Sequence, residues 1–321
     1  MEYRKIGSSD VSVSEISLGC WTMGGLNWVN GNANGWANVE ITAAVKKAVD
    51  AGVTHFDNAD VYGNGKAEQM LARVLAKLGL KTEDFIIATK TGHFPGTAAH
   101  AYEPLHIRHQ CEQSLKNLDR DYIDIYYFHH GNFGPYLEEA AATMDALVAE
   151  GKVRLKGQSA YSPEDFERAV PVVKPNVLQS WANIEARHFI EPGCRVAQLL
   201  EDFDMSYVAF SPLAQGRLLG KFDPAHPPQF EEGDHRKHNK AFTPEALAGL
   251  HPKIEQIKAR FGSETETLSA LAQRFILNHP RVACTIPGFR NERQVGCNLA
   301  AADFILSDTD MEFLRQLFPQ G

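Results

Sequence analysis

The feature that most constrains this 321-residue chain is an alternation. Short runs rich in Val, Ile, Phe and Tyr recur at residues 16–20, 53–57, 85–90, 123–129, 153–159, 177–180, 206–210 and 282–286. Segments with apolar residues at helical spacing lie between them, at 41–51, 67–78, 104–118, 137–149, 195–202, 244–261 and 267–278. A further helix opens at Ser162-Pro163-Glu164, with Ser as N-cap and Pro at the first helical position. Strands that alternate with helices run parallel, and eight of them close into a TIM-type (α/β)8 barrel. Such barrels often exceed ~250 residues as one domain, so residues 1–321 read as a single domain. Residues 2–13 read as a β-hairpin turned at 7–10, placed to plug the barrel bottom. Residues 292–302 and 308–317 supply two more helices. The Gly- and Asn-rich stretch from Trp21 to Trp36 reads as a long loop, and the polar, Pro- and His-rich residues 222–242 as a mobile lid or binding loop.

In this fold the active site lies where strands end and loops lead into helices. Asp57 ends the second run, Tyr62 follows five residues later, Lys90 ends the third and His129 ends the fourth. The four are therefore neighbours on one rim. A phenol has a reference pKa of about 10, and a nearby ammonium favours its ionised form. Lys90 is expected to lower the pKa of Tyr62, and Asp57 to keep Lys90 charged and in place. Tyr62 would then give a proton to a developing alkoxide, with His129 orienting the carbonyl oxygen. That is equipment for carbonyl reduction or alcohol oxidation, given a hydride donor. An aldolase Schiff base on Lys90 is the other chemistry open to the set, although the adjacent acid disfavours a neutral amine.

The later strands offer a place for the donor. After strand seven the chain reads A-F-S-P-L-A-Q-G-R-L-L-G-K, carrying Phe210, Ser211, Gly216, Arg217, Gly220 and Lys221. Small residues and backbone donors suit a pyrophosphate, and Phe210 offers a ring face to a nicotinamide. After strand eight, I-P-G-F-R-N-E-R-Q-V-G-C-N brings Arg290 and Arg293 to a helix start, where barrels often hold phosphate. Two arginines fit an extra phosphate and favour NADP over NAD; a solvated helix start is their alternative reading. No G-x-G-x-x-G follows a first strand, so a dinucleotide is not held as in a doubly wound fold. Trp21, directly after a strand, is the candidate substrate-binding residue, while Trp28 and Trp36 suit packing under the loop. His130 points away from His129 and no Cys or carboxylate completes a zinc pattern, so no metal is expected. His226, His235 and His238 read as solvated, and Asp124 as a structural hydrogen-bond partner.

The segments F-D-N-A-D-V-Y-G, I-A-T-K, Y-I-D-I-Y-Y-F-H, A-F-S-P-L-A-Q-G-R-L-L-G-K and I-P-G-F-R-N-E-R-Q-V-G-C-N together resemble the aldo-keto reductase family, in its order and spacing over nearly the whole chain. The resemblance implies an NADP(H)-dependent reductase with Asp57, Tyr62, Lys90 and His129 as catalytic tetrad. It implies Ser159 and Gln179 for the nicotinamide carboxamide, and Ser211, Leu213, Gly216 and Lys221 for the pyrophosphate strap. Arg290, Gln294 and Asn298 fall at the adenosine-phosphate end. The chain departs from the family at Ala160, where asparagine is usual, and at Phe210, often tyrosine. The fold also resembles channel β-subunits, which bind NADP(H) yet act mainly as regulatory partners.

Charge and cysteines narrow the setting. A net charge of −8 argues against nucleic-acid binding. No apolar run approaches the ~20 residues that span a bilayer, and residues 1–8 lack the apolar core of a signal peptide. Five scattered cysteines without C-x-x-C suit reduced thiols in the cytoplasm. The expected ligand is a small carbonyl or alcohol.

Overall fold

The computed structural model describes residues 1–25, 41–231 and 234–319. It begins with the hairpin β1 (Tyr3–Lys5) and β2 (Ser12–Ser14), antiparallel with Arg4 opposite Val13. The alternation follows: β3 (Leu18–Gly19), α1 (Thr42–Asp50), β4 (His55–Asp57), α2 (Lys66–Lys77), β5 (Ile86–Thr91), α3 (Pro104–Leu118), β6 (Ile123–Phe128) and α4 (Leu137–Ala149). It continues with β7 (Val153–Ser159), α5 (Pro163–Val173), β8 (Val177–Trp181), α6 (Arg195–Asp202), β9 (Ser206–Phe210), α7 (Pro244–Phe261), α8 (Thr265–Leu277), β10 (Val282–Thr285), α9 (Glu292–Leu299) and α10 (Asp308–Leu317).

The strands β3 to β10 form one parallel sheet in sequence order. It closes between its ends: the Ser17 N–H donates to Thr285 O at 2.9 Å and the Gly19 N–H to Pro287 O at 3.1 Å. This is the expected (α/β)8 barrel. Strands buried on both faces need apolar residues throughout, and every residue of β6 is buried. The hairpin plugs the bottom as predicted. Ile6, Val11 and Val13 pack in one cluster with Ala88, Ile125, Tyr127 and Val208 from the barrel strands.

Two strand predictions run well beyond the observed strands, each for its own reason. Residues 16–20 give a ladder to β4 only at Leu18–Gly19, and Cys20 already starts a 3-10 turn, Cys20–Gly24. At the start of the 53–57 run, the Thr54 N–H donates to Ser14 Oγ and the Ser14 N–H to Thr54 Oγ1, both at 3.1 Å. The hairpin plug thus takes over bonds that a longer strand would make. The 292–302 helix likewise breaks into α9 and a 3-10 turn, Ala300–Ala302. Elsewhere local signals suffice: Ser162 Oγ accepts from the Asp165 N–H at 3.2 Å, capping α5 where Ser-Pro-Glu predicted it.

Asp124 has the structural role expected of it. It accepts from the Ile87 N–H at 2.9 Å and pairs with Arg120 and Arg154 at 2.9 and 2.8 Å. Glu15 plays a similar part below the barrel. Fully buried, it takes two bonds of 3.0 Å from Arg274 on α8 and one of 2.8 Å from Arg4. Removing one partner of such a pair leaves an uncompensated charge, at about 3–5 kcal/mol. Glu15→Gln is expected to destabilise the fold by that amount in denaturant titration. A midpoint within error of the parent chain would show that Arg274 is satisfied without it.

Candidate functional site

The barrel ladder sets the rim. Leu18–Phe56, Phe56–Ile87 and Ala88–Ile125 are paired neighbours, so the ends of β4, β5 and β6 lie side by side. Asp57, Lys90 and His129 follow from that register. The Lys90 Nζ donates to Asp57 Oδ1 at 2.5 Å and to Asn58 O at 2.6 Å. The other oxygen of Asp57, Oδ2, accepts from Gln179 Nε2 on β8 at 2.7 Å. A carboxylate only accepts, so this contact fixes the Gln179 amide with its carbonyl oxygen turned away from Asp57. Lys90 Nζ stands 5.3 Å from the Tyr62 ring centre, and the Tyr62 and His129 rings are 6.0 Å apart, edge to face.

Tyr62 owes its place to two glycines. Gly63 turns with φ +61°, a conformation that glycine adopts without strain. A Cβ on Gly24 would come within 2.5 Å of the Tyr62 carbonyl carbon, and one on Gly63 within 2.3 Å of Gly24 O. The start of the first loop therefore lies against the backbone of Tyr62.

Burial decides the electrostatics of the set. It pushes the Tyr62 phenol well above its ordinary value, and the negative charge of Asp57 adds to this. The expected depression by Lys90 does not prevail: burial first and the charge of Asp57 second raise the phenol instead. The Tyr62 phenol is therefore neutral at neutral pH. Burial also pulls His129 well below its ordinary value, aided by Lys90 and by His93 and His130. Its Nδ1 is buried with no hydrogen-bond partner among the described residues.

These residues open into a cavity of about 870 Å³. Asp57, Tyr62 and His129 form its floor, and Trp21 lines the same space. Lys90 lies behind, almost wholly buried. Trp28 and Trp36 fall outside the described residues. Ser159, Gln179, Phe210, Ser211, Leu213, Gly216, Lys221, Arg290, Gln294 and Asn298 all line the cavity, as does Arg293. Ser159 and Gln179 are paired neighbours at the ends of β7 and β8. Ala160, at the departure from the family pattern, is buried and accepts from Ser180 Oγ at 2.6 Å.

The segment after β9 is strained. Ser211, Ala214 and Gln215 have φ of 52°, 46° and 57°. Each such non-glycine residue costs on the order of 1–3 kcal/mol and persists only where its surroundings hold it. Two residues of this stretch leave the site. Arg217 pairs with Glu185 at 2.9 Å, and Gly220 O accepts from Lys258 Nζ at 3.1 Å.

Lining residues absent from the sequence-based set include His93, Tyr161, Gln215 and Arg236. Arg236 comes from residues 222–242, the predicted mobile lid. That segment is packed: the Phe242 ring meets those of Phe222 and Phe230 at 5.5 and 5.0 Å. The Arg236 guanidinium stacks 4.4 Å from the Phe230 ring centre and bonds to Asp234 at 2.6 Å. Lys221, Arg236 and Arg290 crowd at this end. Burial lowers the proton affinity of Lys221 and of Arg290, and the other cations of the group lower it further. The basic cluster H-R-K-H-N-K in an acidic chain was the available signal for Arg236. Tyr161 stacks on Trp181, 5.7 Å between ring centres, and meets Phe210 edge-on at 6.4 Å. Among the described residues, no group of His, Cys, Asp or Glu could hold a metal ion, and no helix is long and apolar enough to cross a membrane.

The His129 result predicts a pH response. The unfolded chain binds a proton on this ring near its ordinary pKa of about 6.5, whereas the folded chain does not. Stability is therefore present above that pH and falls as pH drops through it. His55, pulled down to about 4 by burial, adds to the same trend. Imidazole NMR spectra should show no His129 titration between pH 8 and 6, with His129→Gln for assignment. A midpoint near 6.5 would contradict the buried, neutral ring.

With this geometry in place, likenesses to known proteins become informative. The profile of the Aldo/keto reductase family matches residues 15–318. A probable voltage-gated potassium channel subunit beta of Arabidopsis thaliana is 29% identical, covering 95% of this chain and 92% of that protein. The aldo-keto reductase YhdN of Bacillus subtilis is 28% identical over 99% and 93% of the two chains. L-Glyceraldehyde 3-phosphate reductase of Escherichia coli is 28% identical over 96% and 90%. Among solved structures, a glycerol dehydrogenase of Gluconobacter oxydans superposes with a TM-score of 0.81 at 24% identity, over 98% of this chain and 94% of that one. That likeness speaks to the fold alone. The family profile, spanning the barrel and its rim, carries the assignment: the chain is an oxidoreductase-type barrel that belongs to the aldo/keto reductase family.

Proposed function

We propose that the protein is an NADP(H)-dependent oxidoreductase that interconverts a small aldehyde or ketone and its alcohol. One observation carries the reading. The floor of Asp57, Tyr62 and His129, backed by Lys90, shares one cavity with the strained Ser211–Gln215 backbone and the cations Lys221, Arg236 and Arg290.

The residues fit a bound dinucleotide. Its nicotinamide supplies hydride chemistry when bound. The Gln179 carbonyl and Ser159 are placed for a carboxamide, and Phe210 for stacking on a ring. The Ser211–Gly216 strap and Lys221 would hold the pyrophosphate. Arg290, Arg293 and Arg236 would face an additional phosphate.

The protein's own chemistry is a proton transfer. Tyr62, held neutral by burial, donates to a carbonyl oxygen as negative charge grows there. His129, neutral and lining the cavity, hydrogen-bonds that oxygen and aligns it. Lys90 stabilises the phenolate left behind, and Asp57 keeps the ammonium in position. A charged Lys90 with two strong partners is a poor Schiff-base nucleophile, which sets the aldolase chemistry aside. Trp21, Tyr161 and His93 are the walls available to the substrate. The five cysteines all carry free thiols, in keeping with a reducing compartment such as the cytoplasm.

Tyr62→Phe is expected to lower carbonyl reduction, followed by NADPH absorbance, about 10²–10⁴-fold. NADPH affinity should stay nearly unchanged. Near-parental turnover would sink the proton-donor role. Arg290→Ala and Arg236→Ala should each weaken NADPH about 10-fold or more, the scale of a charge-assisted contact, and NADH far less. Equal losses for both dinucleotides in fluorescence titration would reject a dedicated phosphate site. The likeness to channel β-subunits supports a second reading, a dinucleotide-binding regulatory partner. Tight NADPH binding without turnover of any aldehyde in a broad panel would favour it.

A further inference from the structure

The rim of the barrel is divided by charge, and the division lies in the linkers that follow the strands. The linkers after β3, β4, β5, β6 and β7, at residues 20–41, 58–65, 92–103, 129–136 and 160–162, contain no Lys and no Arg. Residues 26–40, outside the described residues, are included in that composition. The linker after β8, residues 182–194, contains Arg187 alone. The chain after β9 and β10, in contrast, brings Lys221, Arg236, Arg290 and Arg293 to the cavity wall.

Arg187, Lys90 and Lys66 lie close in sequence to the uncharged half, and none of them lines the cavity. Arg187 is buried; it pairs with Glu191 and donates to Ile184 O at 2.8 Å and to Phe318 O at 2.9 Å. Lys90 is buried behind the floor, with its ammonium on Asp57 and the Asn58 carbonyl. Lys66, the first residue of α2, is exposed. The histidines that line the cavity, His93 and His129, are pulled down by burial and stay neutral near pH 7.

What this half presents instead is aromatic and apolar surface. Trp21 follows β3 and Tyr161 follows β7. Those strands are four apart in the eight-stranded sheet, so in the closed barrel the two side chains come from opposite sides of the rim. Both line the cavity that holds Tyr62, and Val61 adds an apolar wall. Tyr161 stacks on Trp181 and is 45% exposed. A charge taken from water onto such a surface costs several kcal/mol unless a counter-charge meets it. A carbonyl compound with a carboxylate or phosphate would find its counter-charge only at the far end, where the phosphates of a dinucleotide compete for it.

We infer that the substrate is an uncharged carbonyl compound with a flat, apolar body that lies between Trp21 and Tyr161, and that carboxylated and phosphorylated carbonyls are rejected by their charge. The inference rests on the carbonyl reduction proposed above and adds the class of compound reduced.

Two matched pairs of aldehydes test it: terephthalaldehydic acid against its methyl ester, and glyceraldehyde phosphate against glyceraldehyde. Within each pair the reacting group is kept and the charge changes. Followed by NADPH absorbance near neutral pH, kcat/KM should be about 100-fold higher for the neutral member of each pair, the scale of an unpaired charge. A ratio below about tenfold in either pair overturns the selection by charge. Tyr161→Arg sets a cation on the wall. It should raise kcat/KM for terephthalaldehydic acid about tenfold or more, with no gain for the methyl ester. Equal effects on the two overturn the assignment of this wall to the substrate. Should Tyr161→Arg not fold, Trp21→Lys gives the same readout from the opposite side of the rim. Turnover of all four aldehydes without preference overturns this inference and leaves the reductase reading intact. No turnover of any of them, in a chain that binds NADPH, overturns both.

Discussion

A buried ammonium is the least forgiving group in this fold, and Lys90 is one. Taking its charge out of water costs several kcal/mol unless close partners compensate. Asp57 and the Asn58 carbonyl provide those partners from the end of β4, and Gln179 holds the other side of Asp57 from β8. The contacts connect residues 33 and 122 positions apart. They can form only if the barrel closes in the right register. The sheet, the hairpin plug and the rim therefore share one requirement. A one-residue slip in β5 would turn Lys90 outward and leave Asp57 facing apolar neighbours.

Much of this is legible in the sequence because strands and rim residues share a period. A residue that ends a parallel strand has its place set by the ladder, and so Asp57, Lys90 and His129 can be placed from spacing alone. The segment after β9 is readable for a related reason: its small residues follow a strand directly. What cannot be read comes from contacts outside any ladder. Arg236 reaches the cavity only because Asp234 and Phe230 seat it. Arg217, which looks like a phosphate ligand, is taken by Glu185 instead. The length of β4 depends on a Ser14–Thr54 exchange between distant segments. The state of the Tyr62 phenol depends on burial, which spacing does not report, and so the expected lowering became a raising.

The two ends of the cavity are built by opposite means. At the ends of β4, β5 and β6, the neutral Tyr62 and His129 side chains stand beside one compensated ion pair, Lys90 and Asp57. At the far end, cations crowd beside a strained backbone, so that an anion would relieve local repulsion. A barrel keeps both ends on one rim while drawing them from different strands.

The contact between Gly24 and Gly63 has a consequence for how such a protein can change. The chain leaves β3 and at Gly24 is already pinned to the backbone of Tyr62. Substitutions of the cavity wall at Trp21 or Thr22 can reshape what enters the pocket while Tyr62 stays where it is. Selectivity can drift in evolution independently of the chemistry, and the two glycines are the joint that separates them.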